Sequence, residues 1–74
     1  MPRITPIHWR KLVHVFERNG WRFSRTEGDH LVYTKPRHPR PIVIPKDSRV
    51  EVFIIMNNLR TAKISREQYF ELLK

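Results

Sequence analysis

The sequence predicts an α+β domain in which helices cover one face of a three-stranded antiparallel sheet. Three observations carry this prediction: a helical apolar stripe over residues 9–16, several short β-like segments between residues 21 and 44, and further helical patterns in the last third of the chain. The predicted element order is α-β-β-β-α-α. With 74 residues, no repeat and no linker-like segment, the chain is expected to form a single domain over residues 1–74.

The first helix is expected to begin at Thr5 and Pro6, because threonine caps helices and proline is tolerated at the first helical position. Asn19 and Gly20 are expected to end it, since glycine readily adopts the left-handed conformation found after many helices. The buried stripe of this helix is predicted to consist of Trp9, Leu12, Val13 and Phe16.

Three short segments have the composition of strands. Residues 21–25 alternate apolar and polar side chains, and residues 26–29 form a turn in which Gly28 can adopt positive φ. The segment from His30 to Lys35 is the second strand. Residues 36–41 contain three prolines and are interpreted as a basic connecting loop, which leaves residues 42–44 as a short third strand. Short connections between consecutive strands predict an antiparallel meander.

Residues 48–60 allow two interpretations. Ser48 and Glu51 have the spacing of a capping box, which favours a helix that begins between Ser48 and Phe53. A β interpretation of residues 50–56 is possible on propensity alone. The helical stripe here would consist of Val52, Ile55, Met56 and Leu59.

A final helix is predicted from Arg66 to about Leu73, because Ser65 and Gln68 form a second capping-box pair. A helix, three strands and a helix in this order also occur in double-stranded RNA-binding domains. Such domains recognise the shape and 2′-hydroxyl groups of A-form RNA rather than its base sequence.

Composition excludes several classes of protein. The chain has no cysteine, so disulfide scaffolds, cysteine-ligated zinc and thiol catalysis are excluded. The histidines lack a metal-ligand spacing, so no metal or other cofactor is expected. No apolar run approaches the roughly 20 residues of a membrane span, and no signal peptide is evident. We therefore expect a cytoplasmic protein.

The formal net charge of +8 favours a polyanionic partner. Nucleic acid is the first candidate, and an anionic membrane surface or an acidic protein comes next. Ten basic and four acidic residues lie within residues 1–47, so this part of the chain is expected to face the partner.

His30 is the residue best suited to chemistry. It follows Gly28 and Asp29 and opens a predicted strand, which places its imidazole beside a turn. Histidine titrates near neutral pH and can take a proton from a ribose 2′-hydroxyl, whose oxygen can then attack the adjacent phosphate. Neighbouring basic side chains would stabilise the developing charge. The alternative is that His30 is a surface histidine with no role.

Phosphate contacts of basic side chains would provide affinity that is independent of RNA sequence and falls with salt. The predicted RNA-binding residues are those on the first helix and the hairpin expected to lie nearest His30. They are Lys11, Arg22, Arg25, Lys35 and Arg37.

The chain resembles the HicA toxin family, also called YcfA-like. Residues 20–23 read Gly-Trp-Arg-Phe and residues 28–30 read Gly-Asp-His, at the starts of the two strands where the family has comparable motifs. Residues 59–65 resemble the end of the second helix in the family. Residues 69–73 match the apolar C-terminal segment of the family's sequences. The resemblance covers nearly the whole chain.

The resemblance implies a small mRNA interferase with a double-stranded-RNA-binding-domain-like fold. Such a toxin cleaves mRNA and arrests translation, and a HicB antitoxin neutralises it. The family's catalytic histidine lies in a Gly-Ser-His motif, and the corresponding position here is His30. This chain has Asp29 in place of the usual serine, Lys63 in place of a glycine, and Asn58 at an often apolar position. A carboxylate beside His30 would favour the charged imidazole and repel a phosphate.

Other functions fit the same composition. The chain would be a non-enzymatic RNA-binding module if His30 has no role, or an interaction protein if its basic surface meets an acidic partner. An apolar patch on the second helix would suit the antitoxin or a second copy in a homodimer, and the alternative is that the third helix folds over it. For the cleavage reaction, water and His38 are the two candidates for the acid that protonates the leaving 5′-oxygen. The predicted patch consists of Val50, Phe53 and Ile54.

Overall fold

The computed structural model describes residues 3–74. Within them the element order is α-β-β-β-α-α, and the three strands form one antiparallel sheet in the order β1-β2-β3, so the α+β prediction is confirmed. No helix in this part of the chain has the length and apolar character needed to cross a membrane. The elements are α1 (Trp9–Arg18), β1 (Arg22–Glu27), β2 (His30–Lys35), β3 (His38–Pro45), α2 (Val52–Ala62) and α3 (Arg66–Leu73).

Helix α1 begins later than Thr5 and Pro6 predict. Its N-cap is His8, whose Nδ1 accepts a hydrogen bond from the backbone N–H of Arg10 at 3.1 Å. The preceding Ile7 is extended because it pairs with Val50 in an antiparallel bridge, with N–H···O distances of 3.3 and 2.7 Å. This long-range pairing satisfies backbone groups that a longer helix would have used.

The hydrophobic core lies between the helices and one face of the sheet. Val15 of α1 is fully buried in it, whereas Val13 and Trp9 of the predicted stripe are only partly buried at its margin. Trp21 precedes β1 and is 2% exposed, with its ring packed edge-on against Phe16. From the sheet, the core includes Leu31, Tyr33, Ile42 and Ile44.

The turn between β1 and β2 is shorter than predicted. Glu27 pairs with His30, so only Gly28 and Asp29 connect the strands. Gly28 has a φ of 59°, and positive φ at the first central position alone is the pattern of a type II′ hairpin turn. Farther along, the register shifts between Phe23 and Arg25, which leaves Ser24 as an extra residue in a β-bulge.

The interpretation of residues 36–41 as a loop is wrong. Only Pro36 and Arg37 form the turn, and β3 already begins at His38. The strand accepts Pro39 and Pro41 because it lies at the edge of the sheet and is irregular there, so the missing N–H groups disrupt no second ladder.

The helical interpretation of the next segment is confirmed, although the predicted capping box does not form. The N-cap of α2 is Glu51, without a side-chain hydrogen bond to the helix, and Val50 is fully buried rather than part of an exposed patch. Ile54 is partly buried against the core, and Phe53 is 66% exposed. The helix ends at Lys63, which has left-handed backbone angles (φ 59°, ψ 40°).

Asn58 connects α2 to the edge of the sheet. Its side-chain amide donates to the carbonyl of Val43 at 2.9 Å and accepts from the N–H of Val43 at 3.4 Å. Since β3 is an edge strand, these backbone groups have no partner strand on that side. The buried amide therefore satisfies the backbone N–H and C=O of Val43 at the sheet edge. This role explains why a polar residue occupies this helix position.

Helix α3 forms the predicted capping box, with Ser65 and Gln68 bonding each other's backbone N–H at 2.9 and 3.1 Å. At its other end, the guanidinium of Arg18 donates to the carbonyls of Leu72 and Lys74 at 2.9 and 2.7 Å. These bonds satisfy carbonyls that a helix end leaves free and attach α3 to α1.

We predict that Asn58→Ala lowers the free energy of unfolding by about 1–2 kcal/mol, because it removes both hydrogen bonds to Val43. Asn57→Ala is the matched control, since Asn57 is exposed on the same helix and the two variants change helix propensity equally. Urea denaturation measures both. Equal midpoints for the two variants would show that the amide contributes nothing.

Tyr69 is expected to make the folded chain less stable at alkaline pH. It is 1% exposed, its hydroxyl has no hydrogen-bond partner within residues 3–74, and burial raises its pKa from 10.0 to about 12. Between these two pH values the unfolded chain loses this proton while the folded chain keeps it. The contribution of Tyr69 to the free energy of unfolding is therefore constant below pH 10. Above pH 10 this contribution falls by about 1.4 kcal/mol per pH unit.

We predict that Tyr69→Phe is as stable as the wild type at pH 7, or more stable, because it removes an unpartnered buried hydroxyl. Above pH 10 the variant should lose stability less steeply. Denaturation midpoints measured from pH 8 to about pH 11 test this prediction, and parallel curves for the two proteins would contradict it.

Candidate functional site

His30 begins the central strand and lies on the face of the sheet that the helices leave open. Side chains alternate along β2, so Leu31 and Tyr33 point to the core and His30 points away from it. Its cross-strand neighbours are Glu27 in β1 and Pro45 in β3. Within residues 3–74 the His30 imidazole has no hydrogen bond, ion pair or ring contact, so it is free to meet a ligand.

The β-bulge at Ser24 decides which arginines accompany His30. Residues three apart in a regular strand point to opposite faces, but the extra residue places both Arg22 and Arg25 on the side of His30. They pair with Thr34 and Val32, which puts them about 13 Å and about 7 Å from the His30 pair along the strands. We call this surface the open face; it consists of Arg22, Arg25, Glu27, His30, Thr34 and Val43, whereas Val32 on the same side of β2 is only 2% exposed.

Glu27 is the neighbour of His30 that sequence reasoning missed. The sequence predicts Glu27 within the turn, whereas a two-residue turn makes it the direct partner of His30. Its carboxylate forms an ion pair with Arg25, and both side chains are more than half exposed. Because exposed ion pairs contribute little free energy, Arg25 can exchange Glu27 for a phosphate at low cost.

The structure places Lys35 away from the open face. Its ammonium group donates to the backbone carbonyl of Asn19 at 2.7 Å, at the C-terminus of α1. A side chain at Gly20 would approach the Lys35 Cε to 3.3 Å, so the lysine lies closely over this helix end. A cation at a helix C-terminus is favourable because it faces the free carbonyls, and Lys35 is thereby committed to holding α1 on the sheet.

Lys11 is also distant from His30. It is exposed on α1, where it lines an open groove of about 480 Å³ together with Arg10, His14 and apolar residues from both ends of the described chain. The helix lies on the opposite side of the sheet from His30. The structure thus brings Arg22 and Arg25 together with His30 and separates Lys11 and Lys35 from it.

Arg37 occupies the turn between β2 and β3, with a φ of 68° and an exposed side chain. After Pro36, positive φ at this position is the pattern of a type II turn, in which glycine is preferred. An arginine here is strained by its Cβ, and the turn that carries it lies at the end of β2 opposite to His30.

His38 packs on the core side of the sheet. Its ring lies 5.2 Å from that of Trp21, and its Nδ1 is 3.1 Å from the carbonyl oxygen of Pro36. It pairs with Lys35, five residues along β2 from His30, which corresponds to about 17 Å. His38 and His30 therefore cannot act on one phosphate group.

Residues 3–74 contain no group of three or more histidine, cysteine or acidic side chains placed to hold a metal ion. The chemistry available on the open face is that of an imidazole, two guanidinium groups and the carboxylate of Glu27. Such a set can move a proton and stabilise a negatively charged phosphate.

A three-stranded antiparallel sheet with helices packed on one face defines a small two-layer α+β domain. The chain matches the model of a family described as the HicA toxin of bacterial toxin–antitoxin systems over residues 9–64. This match spans most of the chain, from the start of α1 to just beyond α2. The protein belongs to the HicA toxin family. A comparison with curated proteins found no match.

Proposed function

We propose that this protein is the toxin of a type II toxin–antitoxin system and acts as an mRNA interferase that cleaves RNA with His30. One observation carries the proposal: an exposed, unpartnered imidazole shares the open face with Arg22 and Arg25. Membership of the HicA family supports the toxin function. The net charge of +8 supports RNA as the substrate.

In the proposed reaction, the His30 imidazole takes the proton of a ribose 2′-hydroxyl. The 2′-oxygen then bonds to the adjacent phosphorus, the bond to the 5′-oxygen breaks, and a 2′,3′-cyclic phosphate forms. Arg25 stabilises the negative charge on the phosphate oxygens, and Arg22 binds another phosphate farther along the RNA strand. Water protonates the leaving 5′-oxygen, because His38 is on the other side of the sheet. The step requires no metal ion.

A HicB-type antitoxin would neutralise the toxin in the bacterial cytoplasm by covering the open face. An acidic partner surface would complement the arginines there. Phe53 and Met56, which are 66% and 41% exposed on one side of α2, provide an apolar contact area for the same partner. A homodimer through these two residues would compete with the antitoxin for that area.

A non-enzymatic RNA-binding module is the second candidate function. Two carboxylates flank His30, with Asp29 before it in the chain and Glu27 opposite it in the sheet. Both would repel a phosphate at the imidazole, whereas Arg22 and Arg37 would still bind RNA elsewhere. This arrangement favours binding without cleavage.

We predict that His30→Ala abolishes growth arrest and lowers the rate of RNA cleavage by about 100-fold or more, as expected for the loss of a general base. The domain should stay folded, because the His30 side chain is exposed and forms no hydrogen bond, ion pair or ring contact within residues 3–74. Growth after induced expression, mRNA integrity and circular dichroism measure these effects.

His14→Ala is the matched control, since His14 is an exposed histidine on α1 and should leave cleavage unchanged. Equal cleavage by the wild type and a folded His30→Ala protein would overturn the role of His30. If neither protein cleaves RNA but both bind it equally well, the RNA-binding module is the correct function.

We predict that Arg37→Gly stabilises the fold by about 1 kcal/mol, because glycine removes the Cβ strain of the left-handed turn position. If Arg37 binds a phosphate, the same variant should reduce the slope of log affinity against log salt by about 0.7. Lys63→Gly is the control: it relieves the same strain at the end of α2 but should leave RNA affinity unchanged. Equal salt slopes for all three proteins would exclude Arg37 from the RNA contact.

A further inference from the structure

Trp9, at the start of α1, forms the centre of an aromatic and cationic cluster. Part of its indole packs against the core and the rest is exposed. The guanidinium carbon of Arg10 lies 5.2 Å from the ring centroid, and the Lys46 ammonium lies 6.0 Å from it. The His8 ring stacks beside the indole at 5.9 Å, with an interplanar angle of 27°. Two cations and two aromatic rings therefore meet at one surface.

This cluster lies at the same end of the sheet as His30. The backbone N–H of Lys46 donates to the carbonyl of Asp29 at 2.8 Å, directly beside the pair formed by His30 and Pro45. The N–H of Trp9 donates to the carbonyl of Asp47 at 3.1 Å, which fixes the start of α1 against this segment. His30 projects from the open face and Trp9 lies on the helix side of the same sheet end. An RNA strand that extends from His30 around this end of the sheet would therefore meet the cluster.

The two cations are available to a ligand. Neither Arg10 nor Lys46 forms an ion pair within residues 3–74, although Asp47 follows Lys46 in the chain. Their contacts with the indole leave the N–H donors free, and cation–π contacts at exposed sites are weak. Positively charged surfaces with flat aromatic side chains bind single-stranded nucleic acids, because phosphates meet the cations while bases stack on the rings.

We propose that Trp9, Arg10 and Lys46 form a nucleotide subsite for single-stranded RNA next to His30. Arg10 and Lys46 bind a backbone phosphate, and the neighbouring base stacks on the exposed part of the indole. The choice of RNA as the ligand rests on the proposed function. The subsite itself concerns binding and can be tested in a protein that lacks His30.

The test uses the His30→Ala protein and hexauridylate, so that binding is measured without cleavage. Trp9 and Trp21 are the two tryptophans, and only Trp9 is accessible for stacking. We expect hexauridylate to quench the tryptophan fluorescence, and Trp9→Phe to remove this quenching while circular dichroism stays unchanged. Anisotropy of a labelled hexauridylate measures affinity independently. Trp9→Leu should weaken binding about fivefold or more.

Lys46→Gln should weaken binding of hexauridylate more than Lys63→Gln does. The latter makes the same charge change at the far end of α2, which is about 16 Å long. Unchanged affinity in both Trp9→Leu and Lys46→Gln would overturn the subsite, as would equal losses in the two lysine variants. Quenching of Trp9 by oligoglutamate but not by hexauridylate would also overturn it and assign the cluster to an acidic protein. Cleavage by the wild type is a separate measurement, so the failure of either proposal leaves the other testable.

Discussion

The register of β2 determines on which side of the molecule each important group lies. This strand is paired on both sides, and its alternation sends Leu31 and Tyr33 into the core and His30 to the open face. A shift by one residue would bury an imidazole and expose two large apolar side chains, which the core would not tolerate. The packing of the helices therefore protects the position of His30, even though its side chain points away from them.

The two edges of the sheet are protected from pairing with another strand in different ways. The Asn58 amide satisfies the β3 edge at Val43, and the prolines of β3 remove N–H groups that another strand would pair with. The β1 edge is bulged at Ser24 and carries exposed arginines, which also disfavours the addition of a strand. The same bulge turns Arg22 and Arg25 toward His30. One irregularity thus protects the edge and assembles the candidate site.

Apolar periodicity was sufficient to predict the elements and their order, because most elements bury a stripe or face that repeats locally in the sequence, although every residue of β1 is exposed. It failed where a partner distant in sequence decides the local structure. Thr5 and Pro6 resemble a helix start, but pairing of Ile7 with Val50 keeps the chain extended. The prolines of β3 resemble a loop unless the strand is known to lie at an edge. In the site, the motif around His30 was visible in the sequence, whereas its neighbour Glu27 required the register.

Net charge alone does not separate binding cations from structural ones. Lys35 and Arg18 donate to carbonyls at the C-termini of α1 and α3, where a positive charge stabilises the fold. Arg22 and Lys46 have no such partner within residues 3–74: Arg22 lies on the open face about 13 Å from the His30 pair along the strands, and Lys46 lies at the His30 end of the sheet. The net charge of +8 therefore does not show which cations a polyanion can meet. The cations left free by the fold define a path around one sheet end, and this path, rather than the total charge, should determine how an RNA strand reaches His30.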